Sequence, residues 1–292
     1  MNTSLPVATI VLADKNANAF ELALGLVRDL NNPTILSDGK AFEGQVASNI
    51  TQEYLTAAFE KEGLQADICV QSADKRRKKL LICDMDSTLI GQECIDELAD
   101  FAGVKDRVSA ITERAMRGEI GFEGALKERV GLLKGLKLSV LQTCFDERIH
   151  LNPGARTLCQ TMKANGAKAV IVSGGFTFFT GKVAQACGFD AHQANSLIEE
   201  EDALTGSVGM PILGREAKLD ALKNHSSSYG GPSNAIAIGD GANDLAMITG
   251  AGLGIAYYAK PAVAAAAHCA INCTDLTTAL YFQGYKETEF VY

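Results

Sequence analysis

The chain has 292 residues, of which 47% are hydrophobic and 21% charged, and its formal net charge is −8 at pH 7. This length and apolar content predict a folded protein with one large core and a second, smaller one. The acidic balance argues against nonspecific binding to nucleic acid or to an anionic membrane, and nowhere do about 18 uncharged apolar residues follow one another, as a membrane span requires.

The cysteines and the N-terminus predict a cytoplasmic location. The eight cysteines are scattered without a CxxC pair, and several lie inside apolar runs, as reduced core cysteines do. No basic region precedes the short apolar run near the N-terminus, so we expect no secretion signal.

The first 75 residues predict a small α+β domain. Two β-like runs, "PVATIVLAD" and "ADICVQS", enclose two helical patterns, "NAFELALGLVRDL" and "ITQEYLTAAFEKEG". The domain is expected to end near the basic run "DKRRKK" at 74–79. A single short basic run on an acidic protein is more typical of a solvated linker than of a nucleic-acid patch.

Residues 76–292 predict a second domain with a doubly wound parallel α/β sheet. Short apolar runs at 80–84, 167–175, 234–241 and 252–257 alternate with amphipathic stretches. Residues 95–150 carry apolar residues at helical spacing, which indicates a small helical cap inserted after the first strand. The stretch 192–208 is interpreted as irregular or a hairpin.

Two aspartates follow the first of these strands. Asp84 and Asp86 are two residues apart, so their side chains point the same way while the chain stays extended. They could simply cap the following helix. A calcium loop is excluded, because its twelfth position, where a glutamate is required, is Ile95.

Further polar groups follow the other strands. "SGG" at 173–175 offers a hydroxyl and backbone N–H groups where a helix is expected to begin, and "GDGAND" adds Asp240 and Asp244. Because ligands bind beyond the carboxyl ends of parallel strands, we expect these loops to meet at one site. Lys218, alone, would be read as a surface residue; beside this cluster it supplies a counter-charge.

These segments resemble the four motifs of the haloacid dehalogenase superfamily of aspartate-nucleophile phosphotransferases, from about residue 80 to the end. The stretches "DMDSTLIGQECIDELA", "ITERAMRGEIGFEGALKERVGLLKG" and "GDGANDLAMI" are most similar to members that hydrolyse a phosphorylated amino acid. The resemblance implies O-phospho-L-serine as the small-molecule substrate, hydrolysed through an aspartyl-phosphate.

The resemblance also implies a role for each residue that matches a motif. Asp84 would be the nucleophile and Asp86 the general acid and base. Mg²⁺ would be held by the Asp84 carboxylate, the Asp86 backbone carbonyl and Asp240. The residues expected to hold phosphate oxygens or to support the site are Ser173, Gly174, Gly175, Lys218, Asn243 and Asp244.

Substrate choice is expected to come from the cap. By the resemblance, Glu93 would receive an α-ammonium group and Arg129 an α-carboxylate, with Met116 and Phe122 as an apolar cover. The plainer alternatives are a first-turn helix acid for Glu93 and an exposed helix-face arginine for Arg129. Phosphohomoserine remains open as another substrate.

A catalytically silent regulatory protein is the alternative from another class, and the intact Asp84, Asp86, Lys218 and Asp240 argue against it. The N-terminal region resembles a regulatory domain of the ACT kind. The sequence leaves open that domain's role, the oligomeric state, a homodimer included, and the choice among Mg²⁺, Mn²⁺ and Co²⁺.

Overall fold

A computed structural model describes residues 5–27 and 30–292. Its strands form a four-stranded sheet, a six-stranded sheet and a two-stranded hairpin. Within the described residues, no helix is both long enough and apolar enough to cross a membrane.

The N-terminal residues form an antiparallel sheet covered by two helices. In chain order the elements are β1 (Val7–Leu12), α1 (Ala17–Leu26), β2 (Asn31–Ser37), β3 (Ala41–Gln45), α2 (Gln52–Lys61) and β4 (Ala66–Gln71). The strands lie in the order β2-β3-β1-β4. Asn16 and Thr51 cap the two helices with their side chains, as short polar residues do at helix starts. Phe20 and Phe42 meet edge to face in the core at 5.3 Å between ring centroids.

The sequence predicted β1, β4 and both helices here, but it missed β2 and β3. The segment that forms β2, "NNPTILS", carries a proline and turn-forming residues, and its first five residues are not buried, so it lacks an apolar signal. The predicted first helix ran to Leu30, whereas α1 ends at Leu26; Arg28 and Asp29 lie outside the described residues.

The remaining chain builds the six-stranded sheet and its covering helices. The elements as far as the sheet's edge strand are β5 (Leu80–Cys83), α3 (Cys94–Phe101), α4 (Lys105–Met116), α5 (Phe122–Gly131), α6 (Leu138–Arg148), α7 (Ala155–Ala164), β6 (Lys168–Phe176), α8 (Thr177–Cys187) and β7 (Ala191–Asn195). The others are β8 (Leu197–Glu200), β9 (Ala203–Val208), α9 (Arg215–Ser226), β10 (Ala235–Gly239), α10 (Leu245–Gly250), β11 (Leu253–Tyr257), α11 (Pro261–Ala264), β12 (Cys269–Ile271) and α12 (Thr278–Tyr281).

This sheet is parallel throughout, in the order β12-β11-β10-β5-β6-β7, which confirms the predicted doubly wound fold. Strand β5 is buried on both faces: Leu81 and Cys83 join one core cluster, and Leu80 and Ile82 join the other. From β5 the chain passes first to β6 and later to β10 on the opposite side. The loops after these three strands therefore converge, as they do at a topological switch point.

Two segments after β5 lie over that edge of the sheet. Helices α3 to α6 occupy most of the predicted 95–150 insertion. The stretch 192–208 contains the predicted hairpin, β8 and β9, which joins the cap through hydrogen bonds between Leu204 and residues 135 and 136. Residues 191–195 were not predicted as a strand: β7 pairs with β6 at the sheet edge, and its mostly polar sequence gives little strand signal.

The basic run at 74–79 connects the two sheets and is partly solvated. Residues 74, 75, 77 and 79 are exposed, as expected of a linker, but side chains of the run also bind the rest of the chain. Arg76 pairs with Glu43, and Arg77 pairs with Glu289 at 2.8 Å. Lys78 is 7% exposed and donates to the Ser233 carbonyl at 3.1 Å. Beside this run, the buried Asp67 of β4 accepts the backbone N–H groups of Asn272 at 2.8 Å and Thr274 at 3.0 Å, which joins the two sheets.

The cysteines behave as predicted core residues. All eight are free, and seven are buried; Cys273 is half-buried.

Candidate active site

The loops after β5, β6 and β10 and the cap enclose a cavity of about 370 Å³. Among the residues on its floor are Asp84, Asp86, Ser173, Asp240 and Asn243, and on its cap side Met116, Phe122 and Arg129. The structure thus brings together polar residues that lie far apart in the sequence.

Asp84 is the first residue after β5 and is 4% exposed. Its Oδ1 accepts the N–H of Met85 at 2.7 Å, and its Oδ2 lies 2.7 Å from the Lys218 ammonium. The chain then turns sharply, with Ser87 in the left-handed region at φ 55°. This turn ends the strand at the cavity and leaves a carboxylate fixed at its floor.

Asp86 points into the same cavity and is held from two sides. Its Oδ1 accepts the N–H of Cys94 at 2.9 Å, and its Oδ2 accepts the Ser173 hydroxyl at 3.3 Å. Burial raises the pKa of Asp86 to about 6, and the Cys94 hydrogen bond opposes this rise. A carboxyl with a pKa near the working pH can both give and take a proton.

Lys218, which the sequence predicted as a counter-charge to the acidic cluster, is 2% exposed and lies between two aspartates. Its ammonium is 2.5 Å from Asp244 Oδ1 as well as 2.7 Å from Asp84 Oδ2. Burial disfavours the charge, but the two carboxylates outweigh it and raise the pKa of Lys218. The other oxygen of Asp244 accepts the Gly241 N–H at 3.0 Å, so both oxygens of Asp244 are engaged.

The site carries more negative than positive charge. Carboxylate oxygens of Asp84, Asp240 and Asp244 lie within 4.8 Å of one another, with one lysine beside them. Burial, and after it the repulsion of Asp84, raises the pKa of Asp240 to about 6 and that of Asp244 to about 7. Three hard oxygen donors with an unbalanced charge fit a divalent cation such as Mg²⁺. Thr88 orients Asp240 through a hydrogen bond of 3.3 Å.

The "SGG" segment lies at the end of β6, two strands away from β10 across the sheet. Helix α8 begins only at Thr177, so the segment is not the helix start that we expected. The N–H of Gly175 donates to Ser173 Oγ at 2.9 Å. A Cβ on Gly175 would lie 2.5 Å from Asp86 Oδ2, so glycine is required for this close approach.

Glu93 and Arg129 both line the cavity. Glu93 precedes α3, makes no side-chain cap and instead accepts the Ser87 hydroxyl at 2.7 Å. Desolvation and the nearby Asp86 raise the pKa of Glu93, and solvent screening limits the shift because the side chain meets water in the open cavity. The half-buried Arg129 donates to Ala125 O at 3.3 Å and Thr112 Oγ1 at 3.4 Å, and has no carboxylate partner within the described residues.

A cap side chain lies against the "SGG" segment. Met116 is 68% exposed and Phe122 39% exposed, although both line the cavity. A Cβ on Gly174 would lie 3.3 Å from the Phe122 ring. The ring therefore rests directly on the glycine backbone.

Comparison with known proteins agrees with this geometry. Residues 81–249 match the model of the haloacid dehalogenase-like hydrolase family. The chain belongs to this family. The resemblance inferred from the motifs is therefore confirmed.

Individual relatives extend the similarity to most of the chain. A phosphoserine phosphatase of Streptomyces coelicolor is 44% identical over 253 residues, which is 85% of this chain and 62% of that protein. A probable phosphoserine phosphatase of Schizosaccharomyces pombe is 36% identical over 287 residues, which is 97% of this chain and 96% of that protein. A solved structure described as a phospho-aspartyl intermediate analogue of phosphoserine phosphatase has a TM-score of 0.65 at 38% identity and covers 70% of this chain and 98% of its own.

Several residues of the cavity and its supports were not found from the sequence. Thr88 and Thr112 orient Asp240 and Arg129, but single threonines carry no signal of such contacts. The apolar lining that we missed comes from Ile95, Ala115, Ile120, Leu126 and Phe176. In the sequence, single apolar residues that line a cavity cannot be told from apolar residues that only pack in the protein.

Proposed function

We propose that the chain is a phosphoserine phosphatase that hydrolyses O-phospho-L-serine to L-serine and phosphate, the last step of serine biosynthesis. The observation that carries this proposal is one cavity lined by Asp84 and Asp86, by Glu93, and by Arg129, which has no carboxylate partner among the described residues. The floor suits phosphoryl transfer, and the cap side suits a zwitterionic amino acid. The names of the relatives support the same substrate.

In the first step the Asp84 carboxylate attacks phosphorus, and the bond from phosphorus to the serine oxygen breaks. Asp86 protonates that oxygen as serine leaves, because an alkoxide is a poor leaving group. The raised pKa of Asp86, about 6, keeps a useful protonated fraction available for this role. Asp84 then carries the phosphoryl group.

In the second step water attacks the phosphoryl group on Asp84. Asp86, now ionised, takes a proton from this water, and phosphate leaves with Asp84 restored. Ser173, the Gly174 backbone and Lys218 would hold the phosphoryl oxygens during both steps. The ion pair of Lys218 with Asp244 keeps that ammonium beside Asp84, which lines the cavity.

Mg²⁺ is the metal we propose, held by the Asp84 carboxylate, the Asp86 backbone carbonyl and Asp240. When bound, it would offset the repulsion between anionic nucleophile and anionic substrate. Asn243 lines the cavity beside this group and would orient ligands near it. Asp244 would be a supporting residue, which holds the Lys218 ammonium and the Gly241 N–H.

Residues of the cap side would bind the amino-acid part of the substrate. Arg129 has an uncommitted guanidinium edge for the α-carboxylate, and Glu93 would accept the α-ammonium group. Met116 and Phe122 would exclude water when the cap closes over the substrate. The eight unpaired cysteines support a reducing compartment such as the cytoplasm.

The test is phosphate release from O-phospho-L-serine with Mg²⁺, compared with phosphohomoserine and p-nitrophenyl phosphate. We expect phosphoserine to give the highest kcat/KM and Asp84→Asn to abolish turnover. Beryllium fluoride should form its adduct on Asp84 in the wild type. An adduct on Ser87 or Ser173, or a preference for phosphohomoserine, would contradict the proposal.

A further inference from the structure

Asn195 is a buried residue beside the active site whose side chain is fully engaged with backbone. It is the last residue of β7 and is 1% exposed. Its Nδ2 donates to the Gly174 carbonyl at 2.8 Å and to the Leu213 carbonyl at 3.4 Å, and its Oδ1 accepts the Leu213 N–H at 2.7 Å. Both amide protons and the amide oxygen are therefore used.

These partners belong to the two segments that would hold the phosphoryl group. Gly174 lies in the "SGG" segment at the end of β6. Leu213 precedes Gly214, the N-cap of α9, and α9 carries Lys218. One side chain thus links the segment that presents backbone N–H groups to the segment that starts the lysine helix.

The bond to Gly174 fixes the orientation of the peptide between two glycines. Two successive glycines have wide conformational freedom, so the direction of the peptide between them is not set by side-chain sterics. Because the peptide is planar and trans, holding the Gly174 carbonyl also sets the direction of the Gly175 N–H. That N–H donates to Ser173 Oγ, which donates to Asp86 Oδ2. The Asn195 amide therefore connects to the general acid through a chain of hydrogen bonds.

The same two segments support the cap. A Cβ on Gly174 would lie 3.3 Å from the Phe122 ring, and a Cβ on Gly214 would lie 3.5 Å from it. The ring rests on both backbone segments that Asn195 joins. A change in the spacing of these two segments would therefore move the groups proposed to bind phosphate and also the surface on which the Phe122 ring packs.

We propose that Asn195 is a positioning residue for phosphoryl transfer, which fixes the spacing between the Gly174 segment and the start of the Lys218 helix. The proposal rests on the proposed function only in placing the phosphoryl group at Asp84. It does not depend on which phosphomonoester is the substrate. Asn195 therefore acts on every substrate alike, in contrast to Arg129.

The experiment compares Asn195→Ala with the wild type on phosphoserine and on p-nitrophenyl phosphate, with inorganic phosphate as a competitive inhibitor. Displacement of catalytic groups by a fraction of an ångström to 1 Å costs about 10- to 100-fold. We expect kcat/KM to fall by at least about tenfold on both substrates, because the groups that hold the phosphoryl oxygens serve both, and the inhibition constant of phosphate to rise.

Asn195→Asp serves as a second variant that keeps the shape and the acceptor for Leu213 N–H but offers no proton to the Gly174 carbonyl when ionised. It should show the same uniform loss. The matched control is Asn234→Ala, because Asn234 also donates to a backbone carbonyl, that of Tyr229 at 2.9 Å, but at the opposite end of β10 from the site. This control should lower thermal stability and leave both kcat/KM values and phosphate inhibition unchanged.

Either of two results would overturn the role of Asn195: variants with lower stability but unchanged kinetics, or a loss confined to phosphoserine. If the wild type hydrolyses p-nitrophenyl phosphate but not phosphoserine, the proposed substrate fails and the Asn195 comparison still stands. If it hydrolyses neither, calorimetric binding of inorganic phosphate replaces the kinetic comparison. We expect Asn195→Asp to bind phosphate more weakly than the wild type and Asn234→Ala to bind it equally well. Equal affinity in all three proteins would refute the role of Asn195.

Discussion

The Lys218 ammonium lies 2.7 Å from Asp84 Oδ2 and, on its other side, 2.5 Å from Asp244. One buried cation thus balances part of the charge of two buried carboxylates, and a third, Asp240, lies close by. Removing one member of a buried ion pair leaves an uncompensated charge, which is costlier than removing both. Lys218 is therefore expected to serve both stability and turnover.

We predict that Lys218→Met lowers the free energy of unfolding by about 3–5 kcal/mol at pH 7.5, measured by urea denaturation. The double variant Lys218→Met with Asp244→Asn should recover part of this loss, because it removes one of the two orphaned carboxylates. An additive double variant would show that the two side chains do not interact. Turnover should be lost in both.

A second prediction concerns Asp86→Asn and separates the two chemical steps. Phosphoserine needs a proton on its leaving oxygen, so kcat/KM should fall about 10²- to 10⁴-fold. p-Nitrophenolate leaves without a proton, so kcat/KM for p-nitrophenyl phosphate should fall much less. Water activation still fails, however, and the aspartyl-phosphate should accumulate.

Stopped-flow measurement should then show a burst of about one p-nitrophenol per active site, followed by slow turnover. The wild type, in which both steps retain Asp86, is the control. Equal losses on the two substrates without a burst would remove Asp86 from the acid and base roles.

The sequence was informative where chemistry needs a fixed residue type at a fixed strand end. Asp84, Asp86, Ser173, Lys218 and Asp240 were all named from motifs. The structure places four of them on one cavity, with Lys218 paired to Asp84. Their catalytic roles remain predictions. Parallel strands buried on both faces, such as β5, also gave a clear apolar signal.

The sequence was uninformative where a residue acts through backbone contacts made across the fold. Asn195 bonds to Gly174 and Leu213, 21 and 18 residues away, and an asparagine in a short polar strand gives no sign of this. Edge strands β2 and β7 were missed because they are partly exposed and polar, so neither alternation nor hydropathy marks them.

A third prediction links metal, pH and stability. The pKa values of Asp240 and Asp244 are about 6 and 7 in the folded protein, against about 3.9 in an unfolded chain. The folded metal-free protein therefore binds more protons between about pH 4 and 7, so this contribution to stability is present below pH 4 and is lost as pH rises. Mg²⁺ should restore stability most at high pH, where it does not compete with protons.

Thermal unfolding with EDTA or with excess Mg²⁺ at pH 5.5 and 7.5 measures this. We expect the increase in Tm caused by Mg²⁺ to be larger at pH 7.5, and EDTA to abolish activity. Asp240→Asn should lose most of the increase. An increase that is equal at both pH values, or that persists in Asp240→Asn, would place the metal elsewhere.

The last prediction tests which substrate groups Arg129 and Glu93 bind. Arg129 has no carboxylate partner in the described chain, and Glu93 lines the same cavity. Three esters separate their roles: phosphoserine, phosphoethanolamine, which lacks the carboxylate, and 3-phosphooxypropionate, which lacks the ammonium group.

Arg129→Ala should lose at least about tenfold in kcat/KM on phosphoserine and 3-phosphooxypropionate, but little on phosphoethanolamine. The reason is that a charge-assisted contact contributes about 1.5–3 kcal/mol only where its partner is present. Glu93→Gln should show the opposite pattern between the two analogues, because its partner is the ammonium group. Equal losses on all three esters in both variants would mean that Arg129 and Glu93 only support the cap, and the preference for an amino-acid phosphate would then have to come from other groups in the cavity.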